Sequence, residues 1–349
     1  MKRTAKKIFV FTFSLLVLWA CSNQDWDFPD FDYTTTYFPW QYPVRTLILG
    51  DYEYDNSNDQ EGKFLISAAM GGVYENRNNI VVEFEIDPSL VENLNISGTS
   101  TQLKVLPSSY YTLSNNSQII IPSGEFHGGV TVQLTDDFFN DSLAISTNYV
   151  IPMVITSSTT DSILSGRPLE EGADKRIAGD WAVSPKNFTI FGIKYINEYH
   201  GNYLLRGAAV TLDESQNQTD EVIYRQEFVE RDIITPLLTT ARHSISYSQP
   251  IRVSTGASPG NFNAILTFDD QGNCVVSSTE GFDVTGTGKF VQQGDEWGGK
   301  KRNVIHLNYE VQVNSSTYLV SDTLVFRDNG VTVEEFEPEI VFPDDNSED

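Results

Sequence analysis

The sequence predicts an all-β protein with two domains in series behind an export signal. Three observations carry that prediction. Short runs rich in Val, Ile, Thr, Tyr and Phe alternate apolar with polar residues along most of the chain, the period of half-buried strands. No long stretch of the body repeats with the helical period. A hydrophilic stretch, Ser157 to Lys175 (SSTTDSILSGRPLEEGADK), separates two blocks of such runs and reads as a linker. The 349 residues fit two domains of about 150 residues each.

At the start of the chain, Lys2, Arg3, Lys6 and Lys7 precede the apolar run Ile8 to Trp19 (IFVFTFSLLVLW). Spanning a bilayer takes about 20 apolar residues, so this run has the length of a signal-peptide core instead. It closes on Leu18-Trp19-Ala20-Cys21. That ending resembles a lipobox, where a peptidase cuts before a cysteine that carries diacylglycerol. Residues 1–20 thus read as a lipoprotein signal peptide, Cys21 as the lipidated residue and 21–30 as a linker. The alternative is an ordinary secretory signal with a chance cysteine. On the first reading the protein touches the membrane only through its anchor, on the outer membrane, with the cell surface favoured over the periplasmic face.

The first β block covers residues 31–156 and includes Ile80 to Ile86 (IVVEFEI), Gln118 to Pro122 (QIIIP) and Val130 to Leu134 (VTVQL). Its strand spacing fits an immunoglobulin-like β-sandwich. After the linker 157–177, the second block covers residues 178–342. It includes Ala264 to Phe268 (AILTF), Val304 to Val313 (VIHLNYEVQV) and Tyr318 to Phe326 (YLVSDTLVF), enough strands for a barrel or a second sandwich. The acidic tail 343–349 has nothing to bury.

Formal charge is −25, and cleavage after Ala20 would remove four cations and bring it to −29. Such a surface repels nucleic acid, whose binding requires cations to neutralise phosphate. Only two cysteines exist, Cys21 and Cys274. A disulfide framework and a cysteine metal site are therefore excluded, and Cys274, in a strand pattern, reads as a buried small hydrophobe.

Several runs are similar to a recurrent domain in lipoproteins of gut-bacterial polysaccharide-utilisation loci. They are Tyr37 to Leu47 (YFPWQYPVRTL), Gly71 to Asn76 (GGVYEN), Leu106 to Leu113 (LPSSYYTL), Ile121 to Gly124 (IPSG) and Tyr149 to Met153 (YVIPM). That domain is an adhesin-like β-sandwich. The second block resembles its usual C-terminal companion at Tyr199 to Tyr203 (YHGNY), Gly286 to Phe290 (GTGKF) and Asp322 to Phe326 (DTLVF). The resemblance implies a lipocalin-like (calycin-like) β-barrel there. It also implies a glycan-capture system, with an oligo- or polysaccharide as ligand and an outer-membrane porin-type importer as partner. Asp141-Ser142-Leu143, Asp161-Ser162-Ile163 and Asp322-Thr323-Leu324 resemble the O-glycosylation signal of such bacteria.

No nucleophile elbow, zinc-binding helix or phosphate loop occurs. Two small β-domains leave no room for a glycosidase catalytic domain, so the expectation is a protein that is not an enzyme. Sugars stack their C–H faces on flat aromatic rings. Trp297 lies among glycines and charges (QGDEWGGKKR), which marks it as a platform, with Asp295, Glu296 and Lys300 as polar partners. Plugging the end of the barrel is its structural alternative. Trp181 and Tyr199 are further ligand candidates, each with a packing alternative. Asp51, Asp55, Asp59 and Glu61 crowd one loop (DYEYDNSNDQE). Their hard oxygens could hold Ca2+, although Gln60 stands where an EF-hand needs glycine; a solvated acidic loop is the default. No other cofactor is expected. Three readings follow: surface glycan binding, a structural role against a partner protein, or a small apolar ligand inside the barrel.

Overall fold

The computed structural model describes residues 33–341, apart from the Glu280 side chain. The signal peptide, Cys21, the linker 21–30 and the acidic tail 343–349 lie outside the described residues. The chain is all-β, with a two-sheet domain followed by a closed barrel.

One sheet of the first domain orders β11 (Ser162–Ile163), β1 (Thr35–Tyr37), β3 (Lys63–Gly71), β9 (His127–Leu134) and β7 (Tyr111–Leu113). The facing sheet orders β24 (Glu334–Glu335), β2 (Pro43–Ile48), β14 (Phe188–Ile196), β10 (Tyr149–Ser158), β4 (Ile80–Ile86) and β8 (Gln118–Ile121), with β6 (Lys104–Val105) beside β10. Alternation dictates the packing: in β4, Val82 and Phe84 are buried while Glu83 and Glu85 face water. β10 is apolar on both faces. Ile151, Met153 and Ile155 enter the core between the sheets. Val150 and Val154 pack beneath Leu90, Leu94 and Phe336 on the other side. Full burial of each such large side chain contributes about 1.5–3 kcal/mol.

Domain boundaries depart from the sequence expectation. β14, expected in the second domain, pairs antiparallel with β10 and parallel with β2. The expected linker is folded onto the first domain: β11 pairs with β1, and β12 (Arg167–Pro168) pairs with β13 (Trp181–Val183). The Arg176 guanidinium ties the same stretch to the Glu92 carbonyl at 2.7 Å and to Asp174. After the barrel, the chain returns to the first domain. There β24 pairs with β2, and β25 (Pro338–Ile340) pairs with β5 (Leu94–Ile96).

The barrel consists of β15 (Gly201–Leu212), β17 (Ile233–Ala241), β18 (Ser244–Pro250), β19 (Asn261–Phe268), β20 (Asn273–Glu280), β21 (Asp283–Trp297), β22 (Lys300–Val313) and β23 (Ser316–Asp328). It closes where β15 pairs antiparallel with β23. β16 (Gln218–Tyr224) extends the free edge of β15 beyond β17. Phe262, Ala264, Leu266 and Phe268 of β19 point inward, as do Ile305, Leu307, Tyr309 and Val311 of β22. Gly286 is required by close approach, since a Cβ there would stand 2.5 Å from the Tyr309 Cβ. Cys274 is buried as expected, and burial pushes its thiol up to about 12.

Inward side chains pack the interior. A cavity among them, lined by Tyr224, Tyr309 and Asp322, holds about 10 Å3. One water needs about 10–15 Å3 and a small organic ligand at least about 300 Å3. That cavity is too small for an apolar ligand, because side chains occupy the space around it. Asp322, a candidate glycosylation-signal residue, is part of that filling and is 3% exposed.

Candidate functional site

The sequence-predicted platform is engaged. Trp297 donates its indole Nε1 to the Phe326 carbonyl at 2.9 Å and packs on Leu204, Val304 and Val325 of the outer barrel wall. The Arg302 guanidinium lies over its ring, 4.3 Å from the centroid. Asp295 accepts the Glu296 backbone N–H at 2.7 Å, Glu296 is exposed, and Lys300 faces a groove at the domain junction. Trp181 donates to the Asp174 carbonyl at 2.7 Å and holds the folded linker. Tyr199, a ligand candidate with a packing alternative, is 3% exposed and stacks on Phe268 at 3.8 Å inside the barrel.

The candidate calcium carboxylates do not converge. Asp59 is 2% exposed, pairs with Arg45 and accepts the Ile48 N–H at 3.1 Å. Asp55 accepts the Ser57 N–H, Glu61 pairs with Lys63, and Asp51 accepts from Gln292 of the barrel at 3.0 Å. Among the described residues, no group of three such side chains could hold a metal ion. The acidic density of the loop serves its own folding instead.

That folding presents two tyrosines. Asn56 donates its side-chain amide to the carbonyls of Ile48 (2.9 Å) and Gly50 (2.8 Å), pulling the loop closed. At Gly50 a Cβ would stand 2.7 Å from the Glu198 Cα, so the loop must press against the barrel entrance. Tyr52 and Tyr54 project from it, their rings in an edge contact at 5.7 Å. A second loop presents Trp40. Phe38 on one side is buried in the core. Tyr42 on the other packs edge-on against Phe188 and Phe336. Between these anchors, the Trp40 ring is 59% exposed.

Trp40 and Tyr52 border a groove across the domain junction. Its barrel lobe, about 800 Å3, lies between the Asp51–Glu53 stretch and the barrel residues 300–303 and 326–332. Its sandwich lobe, about 580 Å3, is lined by Trp40, Arg45, Phe191 and residues 331–335, among others. Tyr52, Val331 and Thr332 line both lobes, which adjoin at these residues. Chemically, the groove offers aromatic faces at one end and amide, carboxylate and cationic groups at the other. Sequence reasoning missed Trp40 and Tyr52. The signal was present in both: aromatic residues in polar or proline-bearing loops, the criterion applied to Trp297.

Residues 31–162 match a family of N-terminal domains, and residues 198–330 match a domain of unknown function, DUF5627. A protein of unknown function from Bacteroides ovatus, known from a crystal structure, is 39% identical. The match covers 89% of this chain and 100% of that one, with a TM-score of 0.83. A multidomain protein including DUF1735 from the same organism matches at 11% identity, covering 87% of this chain and 100% of the other, with a TM-score of 0.42. An auxiliary nutrient binding protein from Bacteroides thetaiotaomicron matches at 14% identity, over 81% of this chain and 90% of the other, with a TM-score of 0.39. No curated protein matches.

Proposed function

The chain belongs to one family with the Bacteroides ovatus protein of unknown function, and on that footing we propose that it is a non-catalytic, glycan-binding lipoprotein whose ligand lies in the groove between its domains. One observation carries this reading: two adjoining lobes share Tyr52 as a wall, and Trp40 lines one of them, the two aromatic residues being 39% and 59% exposed. Exposed aromatic rings held on anchored loops bind the apolar faces of pyranose rings at little cost in side-chain entropy. Polar groups around them satisfy hydroxyls. A solvent-open groove admits a chain, where a closed pocket would admit only a small molecule.

Anchored through Cys21 at the outer membrane, such a protein would hold polysaccharide near a porin-type importer. An array of immobilised plant, microbial and host polysaccharides tests the reading. Residues 22–349 are expected to bind one or a few of them, with Trp40→Ala losing the signal. A blank array, or binding that survives both Trp40→Ala and Tyr52→Ala, would overturn it.

A further inference from the structure

The sequence contains one run of three consecutive cations, Lys300-Lys301-Arg302, and all three line the barrel lobe of the groove. Acidic residues outnumber basic ones 48 to 23, so carboxylate partners are plentiful. Eight other cations are paired with them, Arg327 of this lobe included. None of the three is, among the described residues. Glu296 and Asp295 stand opposite Lys301 and Arg302 in the strand ladder, yet neither comes within ion-pair distance. Asp51, Glu53 and Asp328 are the carboxylates that line the lobe. Asp51 is held by Gln292, and Asp328 by Asn202 at 2.7 Å and by Arg327 at 3.4 Å.

Arg302 is held in place without spending its donors. Its guanidinium lies over the Trp297 ring, an arrangement favourable for a cation. Its Nε is buried with no hydrogen-bond partner, and neither terminal nitrogen makes a hydrogen bond among the described residues. A guanidinium offers five donors in a fork that matches an oxyanion. Beyond about 8 Å the acidic remainder of the surface is screened at physiological ionic strength, so the charges lining the lobe decide, Lys300, Lys301, Arg302 and Arg327 against Asp51, Glu53 and Asp328.

We propose that the barrel lobe recognises the anionic substituent of an acidic glycan, a uronate carboxylate or a sulfate ester, through Arg302, Lys300 and Lys301. The inference rests on the glycan reading of the groove. The aromatic end takes sugar faces, and the cationic end selects chains that carry charge.

Affinity gel electrophoresis of residues 22–349 in matched polymers tests it: polygalacturonate beside its methyl ester, and dextran sulfate beside dextran. The charged member of one pair is expected to retard the protein more than its neutral partner, and which pair does so identifies carboxylate or sulfate. Lys300→Gln/Lys301→Gln, at two exposed side chains, and separately Arg302→Gln should each weaken that retardation about tenfold, and added salt should weaken it further. Equal retardation by both members of every pair, or retardation that the variants keep, overturns the inference and leaves the groove reading standing. No retardation in any of the four, together with a blank array, removes both.

Discussion

The Tyr247 hydroxyl donates to the Asp322 carboxylate at 2.5 Å, joining two barrel strands 75 residues apart in sequence. Tyr309 donates to the same oxygen at 2.7 Å, and Tyr224 to the other. Burial pushes the Asp322 carboxyl above its ordinary range, and the three hydroxyls act against that shift. Gly207 stands opposite on β15, where any Cβ would overlap the carboxylate. The barrel thus fills its centre with a satisfied polar cluster. Removing one donor should cost about 1.5–3 kcal/mol, the range for a hydrogen bond to a charged group. Tyr247→Phe is expected to lose that much stability in chemical denaturation. Asp322→Ala should lose more, because it strands three hydroxyls at once. If both variants were as stable as the wild type, the cluster would not support the barrel.

His200 makes stability depend on pH. Its Nδ1 accepts the Thr239 backbone N–H at 3.0 Å, which requires a neutral ring. Burial, with Lys194 nearby, pushes the ring down to about 4 from 6.5. Between those values the unfolded chain takes up a proton that the folded chain refuses. Stability is therefore full above about pH 6.5 and is lost as pH falls towards 4. At about 1.4 kcal/mol per pH unit the loss reaches about 3.5 kcal/mol at most. Denaturation midpoints across this window should flatten in His200→Gln. An unchanged slope in that variant would assign the effect to other groups.

Phe336 couples the end of the chain to the first domain. It is buried with Val150 and Val154, and its ring meets Tyr42 edge-on at 5.4 Å. Large-to-small substitution at a buried phenylalanine costs about 3–5 kcal/mol. Phe336→Ala should lower the thermal midpoint of the intact protein and loosen the loop that carries Trp40, because Tyr42 lies in that loop. Proteolytic cleavage near residue 40 would report the second effect. A variant as stable and protease-resistant as the wild type would contradict the role given to the returning chain.

Anchoring through Cys21 is tested in cells fed a labelled fatty acid. The full chain should carry the label and sediment with membranes, while Cys21→Ala should do neither. A labelled Cys21→Ala protein would sink the assignment.

Much of the strand content was legible, because alternation is a local signal: Ile80 to Ile86 coincides with β4, and Val304 to Val313 lies within β22. Domain membership was less legible. β14 (FTIFGIKYI) is buried on both faces, so its pattern names no side, and its partners β2 and β10 are distant in sequence. The returning strand Glu334–Glu335 consists of two charged residues, with no alternation to read. In the Asp51–Glu61 loop the carboxylates of Asp59 and Glu61 pair with Arg45 and Lys63, while Tyr52 lines the groove. Trp297 was read as a platform, but Phe326 and Arg302 engage it. Whether an aromatic ring in a polar loop is free depends on contacts that sequence spacing does not encode.

Trp40 and Tyr52 are proposed to hold sugar in the groove between the domains. The most direct measurement is the dissociation constant, by affinity electrophoresis, for a polysaccharide the wild type retains, repeated with Trp40→Ala and Tyr52→Ala. The account predicts a loss of about tenfold or more from each, as for truncation of a central aromatic contact. Unchanged affinity in both, with both variants folded, would place the ligand elsewhere and contradict the account.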